Sequence, residues 1–313
     1  MFTNYRICCK IKLIYDKNFE LYYIRNGAYM SHNNQKKIAV VNDFSGFGRC
    51  SIAVSLPIIS AVSLPVISAL KVQCCLVPTS IFSNHTAYPE YFFDDYTDKM
   101  EEYIDNWKKL GLEFEGISTG FLGDAKQIEI VKSFIRYFKK DNTVVIVDPV
   151  MGDYGVKYAT YTEDLCRRMK ELVEQADIVT PNITEACILT GNDYDKVIND
   201  DVEIAKMAEK ISASGPKKVV ITGINRENYI CDYVYEKNVT NEFLKSVKVG
   251  GERSGTGDIF SAIISADAVN NVEFKTSVEK ASKFIRECLV ISEERDIPKE
   301  DGVCFEDILT TLR

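Results

Sequence analysis

Residues 250–258 read GGERSGTGD and run directly into the apolar stretch Ile259-Phe260-Ser261-Ala262-Ile263-Ile264. A glycine-rich turn that opens onto a helix leaves backbone N–H groups unpaired at the positive end of the helix dipole, an arrangement suited to an anion. The glycines let that backbone approach a phosphate closely, and Asp258 stands where a carboxylate can reach a hydroxyl. Arg253, beside the turn, is either a phosphate clamp or a solvated loop charge. An aspartate in a first helical turn is also favoured with no chemistry at all, so this segment taken alone leaves both readings open.

Three further segments carry the same kinds of group. Residues 147–153, VDPVMGD, end an apolar run with two carboxylates, Asp148 and Asp153, at the edge where open α/β sheets bind ligands. Residues 180–185, TPNITE, also follow such a run, and Thr222 and Gly223 close another. Asn182 and Glu185 are three apart, hence on one helical face, and both offer oxygen to a hydrated Mg²⁺. The same spacing makes a capping box, and the two readings are compatible. His85, within Ser83-Asn84-His85-Thr86, reads on its own as a hydrogen-bonded loop residue before it reads as a ligand contact.

These groups need a scaffold that brings strand ends together. Residues 38–42, 72–77, 116–119, 143–148, 177–180 and 218–222 are short, nearly continuous apolar runs, the pattern of a parallel sheet covered on both faces. Amphipathic segments lie between them; in residues 125–140, Ile128, Val131, Ile135 and Phe138 recur at helical spacing. Residues 229–235 and 242–249 predict two more strands forming an antiparallel edge, and residues 257–269 and 273–294 predict helices. No Pro/Gly/Ser linker divides the chain. The expectation is an α/β fold, a three-layer α/β/α sandwich around a central, mostly parallel sheet with an antiparallel edge. Tyr91, Phe92, Phe93 and Trp107 are expected in core and interface packing rather than as a stacking platform for bases.

The 313 residues carry 38 Lys and Arg against 46 Asp and Glu, a net charge of −8, with no dense basic block. That argues against a nucleic-acid partner, and no apolar window is long enough to predict a membrane span. Ten cysteines contain no C-x-x-C pair and the histidines number two, so neither structural zinc nor a disulfide framework is indicated. Reduced thiols in a cytoplasmic protein are the expectation. Residues 1–29, with five basic and two acidic side chains, differ from the rest. Residues 1–35 therefore read as an N-terminal extension, disordered or preceding a native start at Met30, and 36–313 as the functional domain. One oddity is a tandem duplication, AVSLPIIS at 53–60 and AVSLPVIS at 61–68. It predicts either a lengthened, proline-kinked helix or one copy extruded as a loop.

Taken together, the segments NDFSGFG (42–48), SNHT (83–86), TGF (119–121), DPVMGD (148–153), TPN with Glu185 (180–185) and GTGD (255–258) resemble the pyridoxal (pyridoxine, pyridoxamine) kinase branch of the ribokinase-like superfamily over roughly residues 36–313. The last two segments mark the superfamily, and Ser-Asn-His-Thr points to the vitamin B6 branch. The resemblance implies ATP-dependent phosphorylation of the 5′-hydroxymethyl group of pyridoxal, pyridoxine or pyridoxamine. Asp258 would be the general base, and the amides of Gly255, Thr256 and Gly257 the anion hole for the moving phosphoryl group. Asn182 and Glu185 would hold Mg²⁺ through water, while Asp148 and Thr180 would help bind a monovalent cation such as K⁺. ATP would lie along Asp153, Asn182, Thr222, Gly223, Gly255 and Gly257. The pyridine ring would rest among Asp43, Ser45, His85, Thr86 and Phe121, the last standing where the family often has Tyr. A homodimer is implied, with no nucleic-acid or membrane partner. The alternatives are a hydroxymethylpyrimidine kinase of thiamine synthesis, which residues 42–48 also resemble, and a non-catalytic vitamer-binding protein of the same fold.

Overall fold

The computed structural model describes residues 35–59 and 69–312. In chain order these form β1 (Lys37–Ser45), α1 (Ile52–Ile59), β2 (Gln73–Phe82), β3 (Phe93–Asp95), α2 (Thr97–Lys109), β4 (Gly116–Thr119), α3 (Ala125–Phe138) and β5 (Val144–Val147). A small hairpin of β6 (Gly152–Asp153) and β7 (Val156–Lys157) precedes α4 (Glu163–Val173), β8 (Ile178–Val179), α5 (Ile183–Thr190), α6 (Tyr194–Val197) and α7 (Asp201–Ser214). The chain closes with β9 (Lys218–Arg226), β10 (Tyr229–Glu236), β11 (Thr240–Val247), α8 (Thr256–Val269), α9 (Phe274–Glu294) and two short 3₁₀ turns.

Nine strands share one sheet in the order β11-β10-β9-β8-β5-β4-β1-β2-β3. The six from β2 to β9 are parallel, which is why their sequences read as unbroken apolar runs: both faces are buried. Along β1, Ala39 and Val41 enter the core shared with α2, α3, α4, α5 and α7, whereas Ile38 and Val40 enter the core shared with α1, α8 and α9. The strand thus divides its side chains between two helical layers by simple alternation. The three-layer sandwich is as expected, and the antiparallel pair β10 and β11 forms the expected edge. A second antiparallel strand, the short β3, caps the opposite edge. Three residues carry too little alternation to be read from sequence.

Strand order reverses between β1 and β4, because the chain goes outward from β1 to β2 and then returns to the far side of β1. The segments leaving these two strands pass to opposite faces: β1 leads to α1 in one layer and β4 to α3 in the other. A crevice opens there, at the carboxyl ends of the strands. Strand β1 extends past the apolar run to Ser45, since its backbone keeps pairing with β2 after a register shift between Asn42 and Phe44. Of the duplication, residues 53–59 of the first copy fall within α1, with Pro57 inside the helix. Ser60, the second copy at 61–68 and residues 1–34 of the extension lie outside the described residues.

Candidate active site

The crevice at the strand reversal is lined by Asn42, Thr119, Gly120, Asp148, Asp258 and Ser261, among others. Asn42 is only 5% exposed and organises it. Its Oδ1 accepts the backbone N–H of Asp43 at 3.0 Å and of Phe121 at 2.8 Å, tying the end of β1 to the loop after β4. Its Nδ2 donates to Asp258 Oδ1 at 3.5 Å. Gly120 has to be glycine because a Cβ there would stand 2.5 Å from Asn42 Oδ1. Sequence motifs alone give Asn42 no chemical role; the available signal is a polar residue closing the apolar run 38–42 within β1.

Asp258 sits in the first turn of α8, whose N-cap is Gly255 at φ +84°. A glycine cap has no side chain to accept the first amides, so the N–H groups of Thr256 and Gly257 carry no side-chain cap. Gly255 is fixed by its neighbour as well as by its dihedral: a Cβ would meet the Arg49 carbonyl oxygen at 1.9 Å. The turn thus presses against the loop that follows β1. Burial pushes the Asp258 carboxyl above the usual range, opposed by the Ser51 amide and the Asn42 side chain. That combination suits a base that must take a proton near neutral pH.

The other carboxylates are displaced the same way. Asp43 is pushed up to about 7, by burial first and with a contribution from the Asp258 charge. Burial and then Asp258 raise Asp148, while burial and then Asp148 raise Glu185. Asp153 is raised by burial. The charges acting most strongly on these groups are other carboxylates, not lysines or arginines. A hard cation fits such a set. Among the described residues no three His, Cys, Asp or Glu side chains are close enough to hold a metal directly.

Asn182 and Glu185 make the complete capping box of α5. Asn182 Oδ1 accepts from the Glu185 amide at 2.9 Å, and Glu185 Oε2 accepts from the Asn182 amide at 2.8 Å. Glu185 Oε1 also accepts from the Met151 amide at 3.1 Å, and Asn182 Nδ2 donates to the Gly152 carbonyl at 2.8 Å. Each carboxylate oxygen keeps a further lone pair, so the pair fits Mg²⁺ through water rather than by direct ligation. Thr180 is buried beside Asp148, and its hydroxyl favours the ionised form of that carboxylate; a hydroxyl and a carboxylate side by side suit a monovalent cation.

The structure brings most of the sequence-selected residues to this edge. Ser45 is buried at the end of β1, and Phe121 packs edge-on against Phe82 and Tyr161. His85 donates its backbone N–H to the Phe47 carbonyl, and its Nδ1 accepts the Ala87 amide at 3.2 Å, leaving the proton on Nε2. Burial keeps that imidazole below its ordinary pKa. Thr86 is exposed in the same turn. Asp153 ends β6, and its Oδ1 accepts the Tyr154 amide. Thr222 donates its amide to the Pro181 carbonyl at 2.9 Å, setting Thr222 and Gly223 beside Asn182. Arg253 fits neither reading given above. Its side chain is 4% exposed and binds the Ile297 and Pro298 carbonyls and Glu293, so it anchors the turn to the C-terminal segment.

A profile of the phosphomethylpyrimidine kinase family matches residues 63–302, more than three quarters of the chain. The chain belongs to that family. It is 32% identical to a pyridoxine kinase of Bacillus subtilis over 56% of this chain and 64% of that protein. It is 31% identical to a hydroxymethylpyrimidine/phosphomethylpyrimidine kinase of Haemophilus influenzae over 56% and 65%. Both matches span less than two thirds of the relative's own length. A crystal structure from Bacteroides thetaiotaomicron, of a protein assigned to the phosphomethylpyrimidine kinases, superposes with a TM-score of 0.84 at 32% identity, covering 90% of this chain and 96% of that one. Its orthorhombic form contains pyridoxal, and superposes with a TM-score of 0.82. The fold is therefore that of the ribokinase-like kinases, and the chain is a kinase-family member. Pyridoxine and pyrimidine kinases resemble it about equally.

Proposed function

We propose that the protein transfers the γ-phosphoryl group of ATP to the 5′-hydroxymethyl group of a B6 vitamer, pyridoxal, pyridoxine or pyridoxamine. The observation that carries this reading is the placement of Asp258. It is a carboxylate raised by burial, on a helix whose first amides have no side-chain cap, at the crevice where Asp43, Asn42 and Phe121 converge. An alcohol keeps its proton at neutral pH, so the acceptor hydroxyl needs a base within reach as the new P–O bond forms. Asp258 takes that proton, and the amides of Thr256 and Gly257 stabilise charge on the moving phosphoryl group. Asn182 and Glu185 would hold Mg²⁺ through water, and Thr180 with Asp148 a monovalent cation; bound there, these ions would neutralise charge on the phosphates, along which Asp153 would lie. Thr222 and Gly223 flank the nucleotide. Asp43, Ser45, His85, Thr86 and Phe121 receive the ring. A cytoplasmic homodimer belongs to the same reading.

The reading favours B6 over hydroxymethylpyrimidine on the Ser83-Asn84-His85-Thr86 turn and on the pyridoxal-containing relative. The test is ADP release with Mg-ATP and each of the three vitamers or hydroxymethylpyrimidine as acceptor. Turnover is expected on a vitamer. Asp258→Ala should bind ATP normally and lose turnover by ~10² or more. Turnover on the pyrimidine alone would move the reaction to thiamine synthesis, and undiminished turnover in the variant would remove Asp258 as the base.

A further inference from the structure

The ladder between β9 and β10 slips by one residue in mid-strand. Ile221 pairs with Tyr233 and Ile224 with Cys231, so Thr222 and Gly223 together face the single residue Asp232. That is a β-bulge, and Gly223 adopts φ +69°, the left-handed conformation such bulges favour. Bulges next to active sites re-aim side chains, and this one carries the two residues assigned above to the nucleotide.

Asp232 is 6% exposed, yet among the described residues no lysine or arginine pairs with it. Its Oδ1 accepts the Gly223 amide at 3.2 Å, and its Oδ2 lies 2.6 Å from the Ser282 hydroxyl on α9. An unpaired buried carboxylate is expensive, and a bulge does not require one. What this carboxylate does is bind the Gly223 N–H inward and fasten the bulge to α9. The outer side of the bulge is then left to Thr222 and to a glycine with no atom within 4 Å of where a Cβ would stand. On the other side the Thr222 amide grips the Pro181 carbonyl, next to the Asn182 cap. The bulge is thus clamped from both neighbouring strands, by Asp232 of β10 and by Pro181 after β8.

We propose that Asp232, with Ser282 behind it, is a positioning residue for nucleotide binding: it holds Thr222 and Gly223 in the geometry that receives the ATP phosphates. The inference rests on the nucleotide role assigned to those two residues. Misplacing a binding group by ~1 Å can cost up to ~10²-fold. Asp232→Ala should therefore weaken ATP and ADP binding by roughly tenfold or more, leaving vitamer affinity unchanged. Asp232→Asn, whose Oδ1 can still accept the Gly223 amide and whose amide can donate to Ser282, should restore it.

The measurement is calorimetric titration of each nucleotide and of pyridoxal into wild type, Asp232→Ala, Asp232→Asn and Ser282→Ala at a temperature well below unfolding. Ser282→Ala supplies a milder disturbance if Asp232→Ala does not fold. A nucleotide-selective loss rescued by Asn supports the inference. Equal losses for nucleotide and vitamer, or unchanged nucleotide affinity in both Asp232→Ala and Ser282→Ala (Ser282→Ala alone deciding should the former not fold), would overturn it. Because the readout is binding, wild-type protein that binds ATP but phosphorylates no vitamer would sink the proposed reaction while leaving this test intact.

Discussion

Asn42 is the residue on which the geometry of the site turns. One carboxamide oxygen satisfies two backbone amides, one at the end of β1 and one in the loop after β4, and the amide nitrogen of the same group reaches the proposed base. Removing it leaves the buried Asp43 amide and the partly buried Phe121 amide without that acceptor, at ~1–3 kcal/mol for the buried one. Asn42→Ala is therefore expected to lower stability in urea denaturation and to depress kcat more than the KM for ATP, since its link is to Asp258 and not to the phosphate loops. An equal change in both constants would show general loosening instead. Cys50 lies near the same carboxylates, but burial pushes its thiol up to about 12, so it is a packed neighbour and not a nucleophile.

At the scale of elements, the decisive feature is how the N-terminus of α8 meets the loop leaving β1. Sequence showed a glycine-rich turn before a helix, which is a generic cap. The contact of Gly255 with the Arg49 carbonyl shows that the turn is wedged against the loop that directly follows the ring-side residues Asp43 and Ser45 of β1. Gly255→Ala would impose a positive φ on a Cβ-bearing residue, ~1–3 kcal/mol of strain, and would force Arg49 aside as well. The expected result is a lower denaturation midpoint together with loss of phosphoryl transfer. Gly257→Ala, where nothing lies within 4 Å of a Cβ, should leave the midpoint nearly unchanged. If the two variants lost stability equally, the wedge would carry no weight.

For the whole molecule, the carboxylates at the sheet edge set a pH dependence. Asp43 titrates near 7 in the folded protein and near 4 when unfolded. Between those values the unfolded chain binds fewer protons than the folded one, so stability falls as pH rises, with the penalty complete only about one pH unit above the folded value. Asp148, Glu185 and Asp258 shift in the same direction. His85, pushed down by burial, acts oppositely, but only below its ordinary pKa of about 6.5. Between pH 6.5 and 8 the Tm of the protein without K⁺, Mg²⁺ or nucleotide should therefore decline. Adding KCl and Mg-ATP should flatten the decline, because bound cations favour the ionised carboxylates. A Tm profile indifferent to these ions would argue against cation sites at this edge.

Periodicity was enough to place the parallel strands, the helices and the antiparallel edge, because a strand buried on both faces must be apolar throughout and an amphipathic helix must repeat every turn. The glycine-rich turn and the Asn182–Glu185 box were legible for a similar reason: their geometry is local, and residues three apart in a helix always meet. Arg253, Asn42 and Asp232 were not legible in this way. The partners of Arg253 lie 40 to 45 positions along the chain, and Asn42 reaches Phe121 and Asp258, 79 and 216 positions away. The bulge held by Asp232 exists only once β9 and β10 pair and α9 brings Ser282 beneath them. Local pattern determines which segments become strands and helices; which side chains then share a hydrogen bond depends on the order in which the sheet assembles them, and that order is a property of the folded chain.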